Sequence, residues 1–277
     1  MRKILLLAAV AVLASCGGEQ EKLVKIKTNM GDMTVLLYDE TPLHKANFIE
    51  LAESGKYDST IFHRVIENFM IQGGDIFRGK GPLEQDTSRI PAEIVEGFYH
   101  RKGELAAARQ PDQVNPEKRS SNCQFYIVQG RVWTVGELTV DQMKLNQGIG
   151  QLLQTGKYDS LQQQFIALQM QGKFDEMNAL ALAQRSIVEE EFGVDLSIDF
   201  PKDRLDLYTT VGGYPFLDGD YTVFGRVVEG IDVIDKIAAV EKGQGDVPVE
   251  KISITMDIVK MPKSKVTEKY GYKYPVK

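Results

Sequence analysis

The chain has 277 residues, 43% of them hydrophobic and 26% charged, a balance that fits one large globular domain or one domain with an elaboration. Its formal charge is -6, its pI is near 5.3, and no basic stripe is interleaved with aromatic residues. This excludes nucleic acid as an expected partner and leaves neutral or mildly basic polypeptides.

Arg2 and Lys3 form a positive start, Ile4 to Leu13 an apolar stretch, and Leu13-Ala14-Ser15-Cys16 closes it. About ten apolar residues are too few to span a bilayer, so residues 1–15 read as a signal peptide. The ending resembles a bacterial lipobox, in which cleavage precedes the Cys and its thiol receives diacylglycerol, here on Cys16. Residues 16–22 then serve as a lipidated tether. Cys16 and Cys123 are the only cysteines, so a lipidated Cys16 leaves no pair for a structural disulfide.

Leu23 to Tyr38 reads as a β-hairpin turning at Asn29-Met30-Gly31-Asp32. Thr41-Pro42 opens a helix as N-cap and first helical residue, with Phe48, Ile49 and Leu51 apolar and Gly55 at its end. Phe62 to Asp75 alternates like a strand, with Arg64, Gln72 and Asp75 interrupting apolar side chains. Gly79 to Ser88 is a polar surface loop. Gly103 to Ala108, Gln124 to Gln129 and Thr222 to Val228 read as short strands, Ile231 to Val240 as a helix and Lys251 to Val259 as a closing strand. Many short strands and two helices predict a mainly β fold, a closed antiparallel barrel capped by two helices.

From about Gly136 to Phe192 the period becomes helical. Thr139-x-x-Gln142 and Ser160-x-x-Gln163 are candidate capping boxes, and Gly156, Gly172 and Gly193 stand where helices stop. The pattern predicts three helices inserted between two barrel strands. The expected division is 23–135 for the first part of the barrel, 136–205 for the helical insert, 206–260 for the second part and 261–277 for a loosely ordered basic tail.

The chemistry concentrates in Phe62-His-Arg-Val-Ile-Glu-Asn-Phe-Met-Ile-Gln-Gly-Gly-Asp75. A guanidinium, an amide and two soft hydrophobes can hold a small apolar ring against Phe69 and Met70 while Arg64 and Gln72 handle the adjacent amide. Gln72-Gly-Gly-Asp and Gly79-Lys-Gly lack the spacing of a phosphate loop. His44, His63 and His100, the only histidines, show no metal-ligand spacing. No metal or cofactor is expected. His63 reads as a hydrogen-bonded structural residue, Trp133 as packing and Cys123 as a small buried side chain.

The block resembles the signature strand of the cyclophilin peptidyl-prolyl isomerases, and the likeness runs from about Val24 to Val259 outside the insert. It implies that Arg64 is catalytic, that Phe69 and Met70 contact the proline ring, and that Gln72 binds the substrate backbone. Gly103-Glu-Leu-Ala-Ala-Ala-Arg109 is similar to the Gly-x-Leu-x-Met-Ala-Asn strand, which assigns backbone binding to Ala108 and puts Arg109 where Asn is usual. Asn122-Cys-Gln-Phe-Tyr-Ile127 resembles Gly-Ser-Gln-Phe-Phe-Ile, with Gln124 retained and Tyr126 replacing the pocket Phe. Phe216-Leu-Asp-Gly-Asp-Tyr-Thr-Val-Phe-Gly225 resembles Trp-Leu-Asp-Gly-x-His-x-Val-Phe-Gly, which places Phe216, Leu217 and Tyr221 on the groove. Phe216 lacks the indole donor, so weak cyclosporin binding is expected.

The resemblance implies isomerisation of X-Pro bonds in unfolded or partly folded envelope proteins. The lipobox implies a lipid anchor in a Gram-negative envelope, and Gly17 in place of an Asp after the Cys points to the outer membrane, facing the periplasm. The alternative from another class is a proline-segment binding module or holdase, in which the Gln- and Met-rich insert recognises clients.

Overall fold

The computed structural model describes residues 19–80 and 88–274. The predicted signal peptide, the lipidation residue Cys16 and most of the predicted loop at 79–88 lie outside the described residues.

The chain opens with the expected hairpin, β1 (Gln20–Thr28) and β2 (Gly31–Leu37), paired from Val24↔Val35 to Thr28↔Gly31. β1 starts earlier than expected, inside the region assigned to the tether. Gln20–Lys22 pair with Lys260–Pro262, and Glu21 is buried. α1 (Pro42–Glu53) follows, with Thr41 at its N-cap but with its hydroxyl turned to Tyr38 O at 3.4 Å and making no capping bond. Glu93 supplies the cap from fifty residues away, accepting from the Leu43 and His44 amides at 3.0 and 2.9 Å. A carboxylate there satisfies orphan donors and complements the helix dipole.

Next come β3 (Thr60–Ile61), β4 (Arg64–Ile66), β5 (Met70–Gly73), β6 (Arg89–Ile90), β7 (Glu104–Arg109) and β8 (Ser120–Val128). The block read as one strand is therefore a hairpin. Its polypeptide reverses at Asn68, whose φ of 63° lies in the left-handed region that Asn tolerates better than most residues. β9 (Val223–Glu229) and β10 (Ser253–Pro262) complete the sheet, which runs β3-β10-β1-β2-β9-β7-β8-β5-β4 with β6 added beside β8. Every pairing is antiparallel.

The closed barrel is corrected to an open, curled sheet. Its edge strands β3 and β4 are neighbours in sequence, yet no ladder among the described residues joins them. The two intervening residues are held elsewhere: the Phe62 amide bonds to Ile252 O and the His63 amide to Gln72 O. One sheet face encloses the main core, including Ile26, Val35, Leu105, Phe125 and Ile127, together with Phe48 and Leu51 of α1 and Val233, Ile234 and Ile237 of the later helix. Strand alternation sends Leu36, Met70, Ala106, Tyr126 and Val223 into a second cluster on the opposite face.

Five helices, not three, occupy the stretch from Gly136 to Phe192, namely α2 (Val135–Thr139), α3 (Gln142–Gln154), α4 (Asp159–Met170), α5 (Phe174–Ala183) and α6 (Arg185–Phe192), and α7 (Lys202–Thr210) then leads back to the sheet. Both predicted capping boxes are misplaced, since Thr139 ends α2 and Ser160 lies within α4. The box that forms is Thr134 with Glu137, and Asp141 caps α3. Gly156, Gly172 and Gly193 do follow helix ends with φ near 70°, 67° and 63°. The insert has its own core of Leu145, Ile149, Leu152, Ala181, Val188 and Leu196. Phe174, the first residue of α5, is 62% exposed.

The insert leaves and rejoins the sheet at one point. Arg131 bridges to Gly213, and a Cβ on Gly130 would stand 2.3 Å from the Gly213 backbone. Beyond the insert, α8 (Ile231–Ala238) caps the main core. The tail expected to be loose instead forms α9 (Lys263–Tyr270), with Val266 fully buried and Tyr272 stacked on Tyr38 at 6.1 Å. A single apolar anchor and three tyrosines dock it where sequence shows chiefly lysines.

Candidate active site

The β4–β5 hairpin places Arg64 directly opposite Gln72, and the next ladder places Gln72 opposite Tyr126 of β8. Tyr126 in turn faces Ala106 of β7. One row across three ladders thus lines up a guanidinium, an amide and a phenol on the second face of the sheet. The register between β7 and β8 jumps from Ala107↔Phe125 to Arg109↔Ser120. This irregularity spreads Ser121–Gln124 off the ladder and leaves Ala108 at its edge. Ser121 Oγ holds the distorted segment by accepting from the Gln124 amide at 3.0 Å. Such bulges re-aim side chains beside binding sites.

The result is a cavity of about 190 Å³ lined by Arg64, Phe69, Met70, Gln72, Ala108, Arg109, Tyr126, Leu217 and Tyr221. Eight of the expected site residues meet here. Met70 and Tyr126 are buried at its base, while Phe69, Leu217 and Tyr221 are half-buried around them. Two expected residues stand outside the lining. Gln124 acts on Gln72, accepting from its Nε2 at 3.1 Å, and so fixes which way that amide points. Phe216 is 59% exposed and belongs to an aromatic ladder beside the cavity. It packs on Trp133 at 5.2 Å and Tyr214 at 5.6 Å, and Tyr214 packs on Phe69 at 4.3 Å.

The Arg64 side chain is 44% exposed, and among the described residues it pairs with Asp246, 3.7 Å away and also exposed. A pair of that length in water contributes about 0–1 kcal/mol, so it restrains the guanidinium weakly. Arg109 is the opposite case. Its side chain is 4% exposed, pairs with Asp112, donates to Asp220 O at 2.8 Å and stacks 4.4 Å from the Tyr221 ring. It shapes the groove and has little freedom to engage a ligand. Burial pushes the Tyr126 phenol well above its ordinary pKa, so its hydroxyl stays a donor.

Among the described residues, the cavity lining contains no His, Cys, Ser, Asp or Glu. It therefore offers no general base of ordinary basicity and no common nucleophile, but it does offer a fixed apolar slot flanked by a guanidinium and an amide. His63 is buried beside Arg64 and hydrogen-bonds to the Ile61 backbone, and burial lowers its pKa. Cys123 is buried as expected. Trp133 packs as expected and also donates its indole N–H to Gly213 O at 2.9 Å, tying the two ends of the insert together.

Sequence reasoning missed His100, Tyr208 and Arg204, and it passed over Asp218. Tyr126 Oη lies 2.9 Å from His100 Nε2, and His100 Nδ1 lies 3.0 Å from Asp218 Oδ1. The only available signal was the Tyr at position 126, a buried hydroxyl that must find a partner.

The sequence matches the family description "Cyclophilin type peptidyl-prolyl cis-trans isomerase/CLD" over residues 23–145 and 202–257. A Streptococcus pyogenes serotype M6 protein, named for both phosphatase and peptidyl-prolyl cis-trans isomerase functions, is 30% identical over 83% of this chain; the chain spans only 37% of that protein. A Staphylococcus saprophyticus protein named as a peptidyl-prolyl cis-trans isomerase is 28% identical over 86% of the chain and 90% of its own length. A Cryptosporidium parvum cyclophilin type isomerase of known structure aligns at 20% identity and a TM-score of 0.49, covering 87% of this chain and 98% of its own. With its family match spanning both halves of the sheet on either side of the insert, the chain belongs to the cyclophilin-type peptidyl-prolyl cis-trans isomerase family.

Proposed function

We propose that the chain isomerises X-Pro bonds in unfolded or partly folded polypeptides of the bacterial envelope, with Arg64 as its catalytic residue. The observation that carries this reading is the meeting of Arg64, Gln72 and the apolar group Phe69, Met70, Tyr126 and Leu217 around one cavity. The X-Pro bond rotates slowly because amide resonance must be broken, at a barrier of roughly 18–20 kcal/mol. In the twisted amide the nitrogen loses conjugation and becomes a hydrogen-bond acceptor. A donor aimed there stabilises the transition state more than the planar ground state. Arg64 is permanently charged and only weakly restrained by Asp246, so it can supply that donor. The slot holds the proline ring, and Gln72, held by Gln124, binds the neighbouring backbone.

A protease-free turnover assay on a proline peptide tests the assignment. Arg64→Ala is expected to lose about 10²-fold or more in kcat/KM, the usual effect of removing a transition-state donor. Unchanged turnover in a folded variant removes Arg64 from the mechanism.

The location follows from residues 1–16: a cleaved signal, a lipid on Cys16 and an outer-membrane position facing the periplasm. Palmitate labelling that survives in Cys16→Ser would rule out that anchor. A second reading is favoured by one observation, the exposure of Met143, Ile166, Met170 and Phe174 on the insert at 73%, 48%, 83% and 62%. Those side chains suit a holdase surface for unfolded clients. Aggregation suppression that persists in Met170→Lys/Phe174→Lys argues against it.

A further inference from the structure

Asp218 directly follows the cavity residue Leu217, and it is 6% exposed. Its carboxylate accepts from five donors. The His100 amide and Nδ1 approach at 2.8 and 3.0 Å, Tyr208 Oη at 2.7 Å, and Arg204 Nη2 and Nε at 2.8 and 3.1 Å. A carboxylate has about four lone-pair sites, so this one is saturated. Because the carboxylate only accepts, the Nδ1–H of His100 is the donor to it, and the other ring nitrogen, Nε2, is hydrogen-bonded to Tyr126 Oη at 2.9 Å. Arg204 Nη2 also donates to Pro215 O at 3.2 Å, in the turn that presents Leu217. Arg204 and Tyr208 belong to α7, the helix that leads from the insert back to the sheet, and the Tyr208 carbonyl accepts from the Trp133 amide, which lies just before the insert.

We infer that Arg204 and Tyr208 are positioning residues for the proline pocket: through Asp218 and His100 they hold the Tyr126 and Leu217 walls, so the helix that returns the chain from the insert sets the pocket's shape. This rests on the isomerase reading for its consequence in turnover, but not for the relay itself. Tyr126 is 4% exposed and His100 fully buried, so neither finds water if the chain of bonds is cut. The Tyr126 ring lies 6.0 Å from His100 and 5.9 Å from Tyr221, which spreads any shift to a third wall. A network satisfied at every member has one arrangement, and that rigidity pre-forms the slot.

The experiment compares the full chain with Tyr208→Phe and Arg204→Gln, both of which keep most of the packing. Turnover of proline peptides is resolved into kcat and KM, and the Leu217 methyl and Tyr126 ring signals are followed by NMR. The expected result is a three- to tenfold rise in KM with kcat within twofold, together with shifted Leu217 and Tyr126 signals. In a Tyr126→Phe background, Tyr208→Phe is expected to change KM less than twofold, because the relay is already cut. Unmoved NMR signals, or fully additive KM effects in folded variants, overturn the proposal. Wild-type protein without turnover refutes the isomerase reading instead, and the NMR comparison still decides the relay.

Discussion

The two walls of the groove are held by different means. The near wall, β4–β5 with Arg64, Phe69, Met70 and Gln72, is a short hairpin fixed by main-chain bonds. Its turn is docked mostly that way, Phe69 O accepting from the Gln129 and Gly130 amides at 3.0 Å each, with one side chain added as the Asn68 amide donates to Gln129 Oε1 at 2.6 Å. The far wall, Tyr126, Leu217 and Tyr221, rests on side chains that converge from β8, the segment after β6 and the end of the insert. Main-chain ladders depend little on side-chain identity, whereas a buried polar network depends on every member. The wall that carries the chemistry is thus built robustly, and the wall that shapes the slot is open to change.

The largest expected effect separates chemistry from scaffold on the near wall. Arg64→Ala should cost about 10²-fold in turnover, near 3 kcal/mol of transition-state stabilisation, while leaving the melting temperature within a degree or two. Its side chain is exposed and its ion pair with Asp246 is long, so little stability depends on that pair. A large loss of stability in this variant would erase the contrast.

Next comes the junction that both walls share. A Cβ on Gly130 would meet Gly213 at 2.3 Å, and one on Gly213 would meet the His100 carbonyl oxygen at 2.2 Å. Gly130→Ala is expected to destabilise by about 1–3 kcal/mol, read by denaturant unfolding, and to raise KM as the stem of the insert moves. Stability equal to wild type would show that the insert tolerates displacement from the sheet.

Asn68 tests the near wall alone. With φ at 63°, Asn68→Ala should cost about 1 kcal/mol, and Asn68→Gly should cost less because glycine adopts that conformation without steric penalty. Equal effects of the two substitutions would point to the Asn side chain rather than its backbone.

The smallest effect is in pH. Burial lowers the pKa of His44, with Glu93 opposing, and burial also lowers that of His63. The unfolded chain, with histidines near 6.5, then binds more protons than the folded one. The contribution of these residues is fully present above about pH 6.5 and is lost as pH falls below it. Melting temperatures should decline from pH 7.5 to 5.5, and a rise over that interval contradicts burial as the cause.

Much of the near wall was legible from sequence because its residues are contiguous, and the hairpin turns a linear order into a register. Even so, a strand of fourteen residues was expected where Asn68 reverses the chain, since alternation continues through a two-strand hairpin without a break. Phe216 was expected on the cavity but stands beside it, because Trp133 and Tyr214 draw its ring into their own stack. The helical period of the insert was visible and its helix number was not. Short helices ended by αR turns, as at Gln184 between α5 and α6, leave no break in the pattern. The tail was misread because lysine content dominates it, while its docking depends on Val266, Tyr272 and Tyr274 meeting Leu23 and Tyr38 in space.

The sequence by itself determined most of the sheet strands, the two capping helices, the helical stretch between them and eight of the residues that line the slot, since local pattern and contiguous order encode these. Only the tertiary structure decided that the sheet stays open, that Glu93 caps α1, and that His100, Asp218, Arg204 and Tyr208 form one chain of bonds behind Tyr126. The physical reason is distance along the polypeptide. His100 and Asp218 are 118 residues apart, and a buried hydroxyl's need for a partner is written at Tyr126, whereas the partner's identity is set by where the chain returns.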